Sequence, residues 1–218
     1  MWVAVILLAM GLAMSLTQPE NAGEWRPVTF PHLPATRFMV TPEGVRVAAD
    51  RSSGLLVRRL DPGVAAKTAT WKWRVDAPVP ATDLTRKGKD DRALAVHFWF
   101  AAAKKPNFWA RLGGMVRNQR GLPTTGHALS YTWGGDAATG ALLPNPFLKK
   151  DGAIIILRPA SEPTGVWRSE TVNLAADYRR IFDADAPPLV AVALSGDSDD
   201  TQTMSLGWVR DLTISLAP

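Results

Sequence analysis

Two aspartate-rich stretches contain the residues whose types and spacing are best suited to chemistry. Asp90 and Asp91 directly precede an apolar segment, and Asp197 and Asp199 directly follow another. If the two segments are neighbouring antiparallel strands, the start of one and the end of the other meet at the same edge of a sheet. Carboxylates gathered in one place repel one another unless positive charge lies between them. A calcium ion would supply that charge, because calcium binds carboxylate and carbonyl oxygens.

Two simpler interpretations fit the same stretches. Arg92 and Arg210 could neutralise the carboxylates as bidentate partners, and the sequence Asp-Ser-Asp-Asp at residues 197–200 is also typical of turns. The sequence therefore leaves three interpretations of these aspartates open, namely ion pairs or turn capping, a structural calcium site, and catalysis. No other cofactor is predicted. The predicted metal ligands are Asp90, Asp91, Asp197 and Asp199.

Aromatic residues form a second group of candidates, since the chain has nine tryptophans. Trp71 and Trp73 lie on one face of a predicted strand, and we expect them and Trp99 in the core, because tryptophan is highly buried on average. Trp133 precedes a glycine pair, and there its ring could contact a saccharide at the rim of the domain. The predicted ligand-binding residues are Trp133, Tyr131 and Asp136.

Residues 104–120 form a basic segment with apolar residues at helical spacing. This composition is typical of a helix that lies at a membrane interface. A glycine pair at residues 113–114 weakens the helix, so a basic loop covering one end of the core is the alternative. The residues predicted to contact a membrane or a membrane-protein partner are Phe108, Trp109, Arg111, Leu112 and Arg117.

The composition of the chain excludes some kinds of functional site and favours one kind of partner. The chain of 218 residues has no cysteine and a net charge of +5, which excludes disulfides and thiolate sites and favours acidic partners. We expect no nucleic acid partner.

No G-x-S-x-G, H-E-x-x-H or glycine-rich phosphate motif is present. His97 lies inside an apolar strand, where a hydrogen-bonded core residue is expected. A pair of carboxylates such as Glu170 and Asp136 keeps a hydrolase open.

The N-terminus carries an apolar, uncharged run over residues 2–16. This run predicts a signal peptide or a membrane anchor over residues 1–23, followed by one domain over residues 24–218. A buried element of the fold is a further alternative. The first two interpretations predict a periplasmic or extracellular domain, with residues 2–16 as an anchor in the inner membrane if they are retained.

The elements that would position these residues are mostly strands. Alternating patterns and turn residues recur about ten times, with a hairpin over residues 36–49, a central strand over residues 93–100 and a long bent strand over residues 204–216. Residues 174–182 have the apolar spacing of a helix. The sequence predicts an all-β fold, an antiparallel β-sandwich or jelly roll of about ten strands, with this one short helix and an N-terminal hydrophobic helix.

The order of several motifs resembles the bacterial family called domain of unknown function 3047. Lys89 departs from the family, which usually has glycine there. The resemblance implies an exported, β-rich domain and carries no assigned activity. The matching motifs are residues 71–75, 89–93, 130–134 and 193–201, and Trp167 with Glu170, Asn173, Asp177 and Tyr178.

These observations favour a non-catalytic binding or accessory module outside the cytoplasm. The expected ligand is a saccharide or the surface of a membrane-protein complex. The alternative is a carbohydrate-active hydrolase that uses aspartate and glutamate side chains.

Overall fold

Two β-sheets pack face to face in the computed structural model, which describes residues 13–18, 23–102 and 125–217. The first seven strands are β1 (Ala13–Ser15), β2 (Trp25–Thr29), β3 (Arg37–Thr41), β4 (Gly44–Asp50), β5 (Ser53–Val64), β6 (Ala66–Ala77) and β7 (Arg92–Phe100). They are followed by β8 (Ala128–Trp133), β9 (Leu142–Asn145), β10 (Lys149–Arg158), β11 (Arg168–Val172), helix α1 (Leu174–Phe182), β12 (Leu189–Asp197) and β13 (Met204–Leu216).

The strands are divided between a six-stranded and a seven-stranded sheet. The first has the order β11-β6-β13-β4-β3, with β1 added against β13, and the second has the order β2-β5-β12-β7-β8-β10-β9. The pairs are antiparallel except for β8 and β10, which run parallel. The predicted β-sandwich fold is therefore confirmed, with one parallel pair in a sheet that was expected to be wholly antiparallel.

The central strands of the seven-stranded sheet bury both faces. Alternate residues of a strand point to opposite faces, so Leu94, Val96 and Phe98 of β7 enter the core between the sheets, while His97 and Trp99 lie on the outer face. Every residue of β7 after Arg92 is buried. This explains the continuous apolar run of residues 93–100, which predicted a central strand.

Large aromatic side chains fill the space between the sheets. The rings of Trp71 and Trp73 meet edge to face at 5.5 Å between centroids, and Trp73 contacts Trp133 of the opposite sheet at the same distance, 5.5 Å. Tilted and edge-to-face contacts of this kind are favourable for aromatic pairs. The predicted core positions of Trp71 and Trp73 are correct, since they are 1% and 0% exposed.

Helix α1 has the predicted bounds. Asn173 caps its N-terminus by accepting a hydrogen bond from the Ala176 N–H at 2.9 Å. Its buried residues are Leu174 and Tyr178, and it ends at Asp183, which adopts the left-handed conformation.

The end of the apolar N-terminal run belongs to the sandwich. Residues 13–15 form β1, and Leu16 is fully buried in the core. The Leu16 N–H donates to Leu212 O at 2.8 Å, and the indole N–H of Trp25 donates to Leu16 O at 3.0 Å. The predicted N-terminal helix is therefore wrong for residues 13–16, because residues 13–15 pair with β13 and Leu16 packs into the core; residues 1–12 lie outside the described part. Within the described ranges, no helix is long and apolar enough to cross a membrane.

Candidate functional site

A cleft of about 620 Å³ opens on the outer face of the seven-stranded sheet. Its floor is formed by the outward-facing residues of the central strands, among them His97 and Trp99 of β7, Ser130 of β8 and Ser195 of β12. These positions alternate with the core residues of the same strands. The sheet therefore serves two purposes, since one face closes the core and the other forms the base of the cleft.

The walls come from segments far apart in the sequence. Phe30 and Leu33 follow β2, and Asn145, Phe147 and Leu148 lie at the turn between β9 and β10. The Asn145 side chain accepts hydrogen bonds from the backbone N–H groups of Phe147 and Leu148, both at 2.9 Å, which fixes this turn. Phe147 is 56% exposed, so its ring is presented to solvent beside the cleft.

His97 links the three central strands of the floor by hydrogen bonds to β8 and β12. Its Nδ1 lies 2.8 Å from the Ser130 hydroxyl oxygen, and its Nε2 lies 2.8 Å from the Ser195 hydroxyl oxygen. Burial, together with the smaller effect of the Arg92 charge, lowers the pKa of His97 to about 3. The imidazole is therefore neutral near pH 7, with one ring nitrogen donating and the other accepting. The expectation that His97 is a hydrogen-bonded buried residue is confirmed.

The two aspartate-rich loops meet at one end of the cleft. Strand β7 pairs with β12 in antiparallel orientation, and Arg92 lies opposite Asp197. One carboxylate oxygen from each of Asp91, Asp197 and Asp199 lies within 4.8 Å of the others. The predicted convergence of these loops is confirmed for the three aspartates, whereas Asp90 contacts Arg92 instead.

Arg92 supplies part of the neutralising charge. Its Nη1 lies 3.5 Å from the Oδ2 atoms of both Asp90 and Asp197, and it donates to Asp90 O at 2.7 Å. Arg210 has a different role, since its guanidinium lies 4.1 Å from the ring centroid of Trp167 and its Nε lies 3.8 Å from Asp211. The ion-pair interpretation is therefore correct for Arg92 and wrong for Arg210.

The cleft is acidic although the chain is basic overall. The burial of Asp90 raises its pKa, with Arg92 opposing the shift, and burial raises the pKa of Asp197 to about 8, so these two carboxyl groups carry less negative charge than exposed aspartates would. The charged residues that line the cleft are Asp90, Asp197, Asp199 and Asp200, against Arg92 and Lys87. The net charge of +5 therefore does not describe this surface.

Two predicted ligand-binding residues belong to the core. Trp133 and Tyr131 are both 0% exposed, and the Tyr131 hydroxyl donates to Asp177 Oδ2 at 2.8 Å. Burial raises the pKa of Tyr131, so its hydroxyl stays protonated. The prediction that Trp133 contacts a ligand at the rim is wrong, because its side chain points between the sheets. Asp136 is exposed and lies outside the residues that line the cleft.

Of the remaining candidates, Glu170 lies outside the residues that line the cleft. Glu170 accepts hydrogen bonds from the Trp73 indole N–H and the Arg158 Nε–H, both at 2.8 Å, which makes it part of a structural network. Trp99 is only 8% exposed, as expected, but it faces the cleft instead of the core. The membrane candidates Phe108, Trp109, Arg111, Leu112 and Arg117 lie outside the described residues.

Sequence reasoning missed the walls of the cleft. Phe30 and Phe147 are separated by more than a hundred residues and have no periodic pattern around them. A weak signal exists at Asn145-Pro146, which is typical of a turn and places the following aromatic residue at a tip.

Comparison with solved structures gives sandwich proteins of similar length. A family 11 carbohydrate-binding module from Clostridium thermocellum, solved with a β-1,3-1,4-mixed-linked tetrasaccharide, is 9% identical with a TM-score of 0.48, covering 94% of this chain and 96% of that one. The xyloglucanase domain of NopAA from Sinorhizobium fredii, solved with cellobiose, is 8% identical with a TM-score of 0.48, covering 95% and 98%. A xylan-binding module, CBM15, is 11% identical with a TM-score of 0.43, covering 95% and 97%.

Comparison of the sequence with curated proteins and with family models assigns the chain to one family. No curated protein matches the chain. The family model described as protein of unknown function (DUF3047) matches residues 23–213, a range that includes both aspartate-rich loops and every described residue that lines the cleft. The chain therefore belongs to the DUF3047 family.

Proposed function

We propose that this protein is a binding module that holds a neutral saccharide in the cleft on the seven-stranded sheet. The observation that carries the proposal is the presence, in one cleft, of the Phe147 and Trp99 rings and the polar groups of Asp90 and Arg92. A pyranose has apolar C–H faces and a rim of hydroxyl groups, so it needs both kinds of contact. Pockets for small ligands generally combine apolar walls with a few polar groups that fix orientation.

The charge of the cleft favours a neutral ligand. Four aspartates and two basic residues line it, and the three aspartates other than Asp197 still outnumber the basic residues when Asp197 is protonated, so a uronic acid or a sulfated sugar would meet repulsion. Carboxylates accept hydrogen bonds from sugar hydroxyls, and a guanidinium donates to sugar oxygens. The proposed ligand class is therefore a neutral oligosaccharide, although the composition of the whole chain favours acidic partners.

The test is a binding screen with the full-length chain. A glycan array identifies the ligand, and isothermal titration calorimetry measures the dissociation constant of the best neutral oligosaccharide. Phe147→Ala removes an exposed ring, and we expect about twofold to tenfold weaker binding, since aromatic contacts contribute about 0.5–1.5 kcal/mol. The matched control is Met39→Ala, which removes a side chain of similar exposure (57% against 56%) from the other sheet.

Four outcomes would contradict the proposal. The first is no binding to any neutral glycan, and the second is equal affinity of the wild type and Phe147→Ala. The third is hydrolysis of the bound glycan, which would make the protein an enzyme. Selective capture of acidic glycans would contradict the charge argument.

We also propose that the module acts outside the cytoplasm, next to a membrane. This rests on the apolar residues 2–12, which precede β1, and on the basic, apolar composition of residues 104–120. Cell fractionation with a C-terminal epitope tag tests the location, and co-sedimentation of the purified chain with anionic vesicles tests the membrane contact. Recovery of the tag in the cytoplasmic fraction alone would overturn this part.

A further inference from the structure

The three clustered aspartates have the spacing of a metal site. Calcium–oxygen distances are about 2.3–2.6 Å, so two ligands on opposite sides of one ion lie about 5 Å apart. One oxygen each from Asp91, Asp197 and Asp199 lies within 4.8 Å of the others. A single ion could therefore contact all three carboxylates with little movement of the loops.

Asp91 is held in place by the opposite loop. Its Oδ2 accepts hydrogen bonds from the Thr201 N–H and hydroxyl, both at 2.6 Å, and its Oδ1 accepts from the Asp200 N–H at 3.2 Å. A carboxylate oxygen can accept two hydrogen bonds, so Oδ1 has capacity for a further partner. Metal-binding carboxylates are usually fixed by such outer contacts.

Asp197 gives a second, independent observation. The residue is 8% exposed, and among the described residues its Oδ1 has no hydrogen-bond donor. Arg92 contacts only the other oxygen, Oδ2, at 3.5 Å. A buried carboxylate oxygen without a partner is costly, and a cation next to it would remove that cost.

One arginine does not balance the charge of the two loops. In the described part of the chain, Arg92 is the basic side chain that forms ion pairs with the cluster. The carboxylates around it belong to Asp90, Asp91, Asp197, Asp199 and Asp200. A cation between the two loops would supply the missing positive charge.

We propose that Asp91, Asp197 and Asp199 bind a calcium ion that joins the loop before β7 to the loop after β12 at the end of the cleft. Three carboxylates from two loops suit calcium because it accepts oxygen ligands in flexible geometry. Magnesium needs a near-ideal octahedron and usually keeps several waters. This site stands independently of the proposed saccharide.

The test uses the full-length chain after EDTA treatment and dialysis. Calcium chloride and magnesium chloride are added separately, and binding is followed by isothermal titration calorimetry and by the melting temperature. At calcium concentrations about tenfold above the dissociation constant, we expect a rise of about 3–6 °C. Magnesium at the same concentration should give a clearly smaller rise.

Asp199→Asn is the decisive variant. It removes one ligand charge from a partly exposed position, and it should fold at least as well as the wild type in EDTA because it removes repulsion with Asp197. Its calcium response should be lost. The control is Asp185→Asn, which changes the net charge equally at an exposed residue paired with Arg179, and which should keep the full calcium response.

Several results would overturn the site. A wild-type chain with no binding heat and no shift in millimolar calcium would refute it. An unchanged calcium response in Asp199→Asn, or its loss in Asp185→Asn, would show that the ion binds elsewhere. An equal response to magnesium would refute the assignment to calcium. No saccharide is present in this assay, so its result does not depend on the proposed function.

Discussion

The buried histidine at the floor of the cleft should make stability fall in mild acid. His97 has a pKa of about 3 in the folded protein, against 6.5 for an ordinary histidine, because burial disfavours its charged form. Below pH 6.5 the unfolded chain takes up a proton at this residue, whereas the folded chain does not. Stability from His97 is therefore present above pH 6.5 and is lost as the pH falls towards 3.

The size of the effect follows from the pKa difference. One unit corresponds to about 1.36 kcal/mol, and pH 5 lies 1.5 units below the unfolded pKa, so His97 should cost about 2 kcal/mol at pH 5 relative to pH 8. The aspartates of the loops contribute in the opposite direction, because the pKa of Asp197 is raised to about 8. Only a comparison with a variant that lacks His97 separates the contribution of this histidine to stability from that of the aspartates.

The variant is His97→Gln, which does not titrate and can still hydrogen bond to one of the two serine hydroxyls. Urea unfolding is measured in EDTA at pH 8, 7, 6 and 5 for the wild type and the variant. The unfolding free energy of the wild type minus that of the variant should fall by about 2 kcal/mol from pH 8 to pH 5, because only the wild type loses the contribution of His97. His32→Gln, at an exposed histidine, is the control. Parallel curves for the wild type and His97→Gln would refute the reasoning.

Three further predictions concern the sandwich itself, each measured by urea unfolding. Leu16→Ala should lower the unfolding free energy by about 3 kcal/mol, because Leu16 is fully buried; no change would mean that the N-terminal segment is not part of the fold. Gly207→Ala should cost about 2 kcal/mol, since the added Cβ would lie 2.6 Å from Leu94, whereas Gly23→Ala meets nothing within 4 Å and should be neutral. Glu170→Gln should cost about 1–2 kcal/mol by weakening the hydrogen bonds that its carboxylate accepts from an indole N–H and a guanidinium.

Local sequence patterns were sufficient to predict most of the strands and the helix. The bounds of β13 and α1 agree with the pattern, because alternation and helical spacing depend on neighbouring residues only. The meeting of the aspartate-rich loops could also be predicted, since it required only that two apolar strands be antiparallel neighbours. The basic partner of each carboxylate could not be predicted. Whether Arg92 or Arg210 lies next to the aspartates depends on where their strands lie in the sandwich, which local sequence does not show.

The error at Trp133 has a physical reason that the sequence contained. In β8, Leu129, Tyr131 and Trp133 are large and alternate with the small residues Ala128 and Ser130. The large residues face the core, so Trp133 faces it too. The glycine pair after Trp133 correctly indicates a turn, but a turn does not decide the direction of the preceding side chain, which strand alternation sets.

The same alternation explains why the sequence of these strands predicted only core residues and no cleft. Ala193 and Ser195 of β12 and Ser130 of β8 are small and flank His97 on the outer face of the sheet. Small neighbours leave room above the sheet, and the loops that carry Phe30 and Phe147 close over that room from the sides. Burial of both faces therefore does not require a second layer of helices or strands. In this chain, the outer face of the central strands is buried because it lies at the bottom of a cleft.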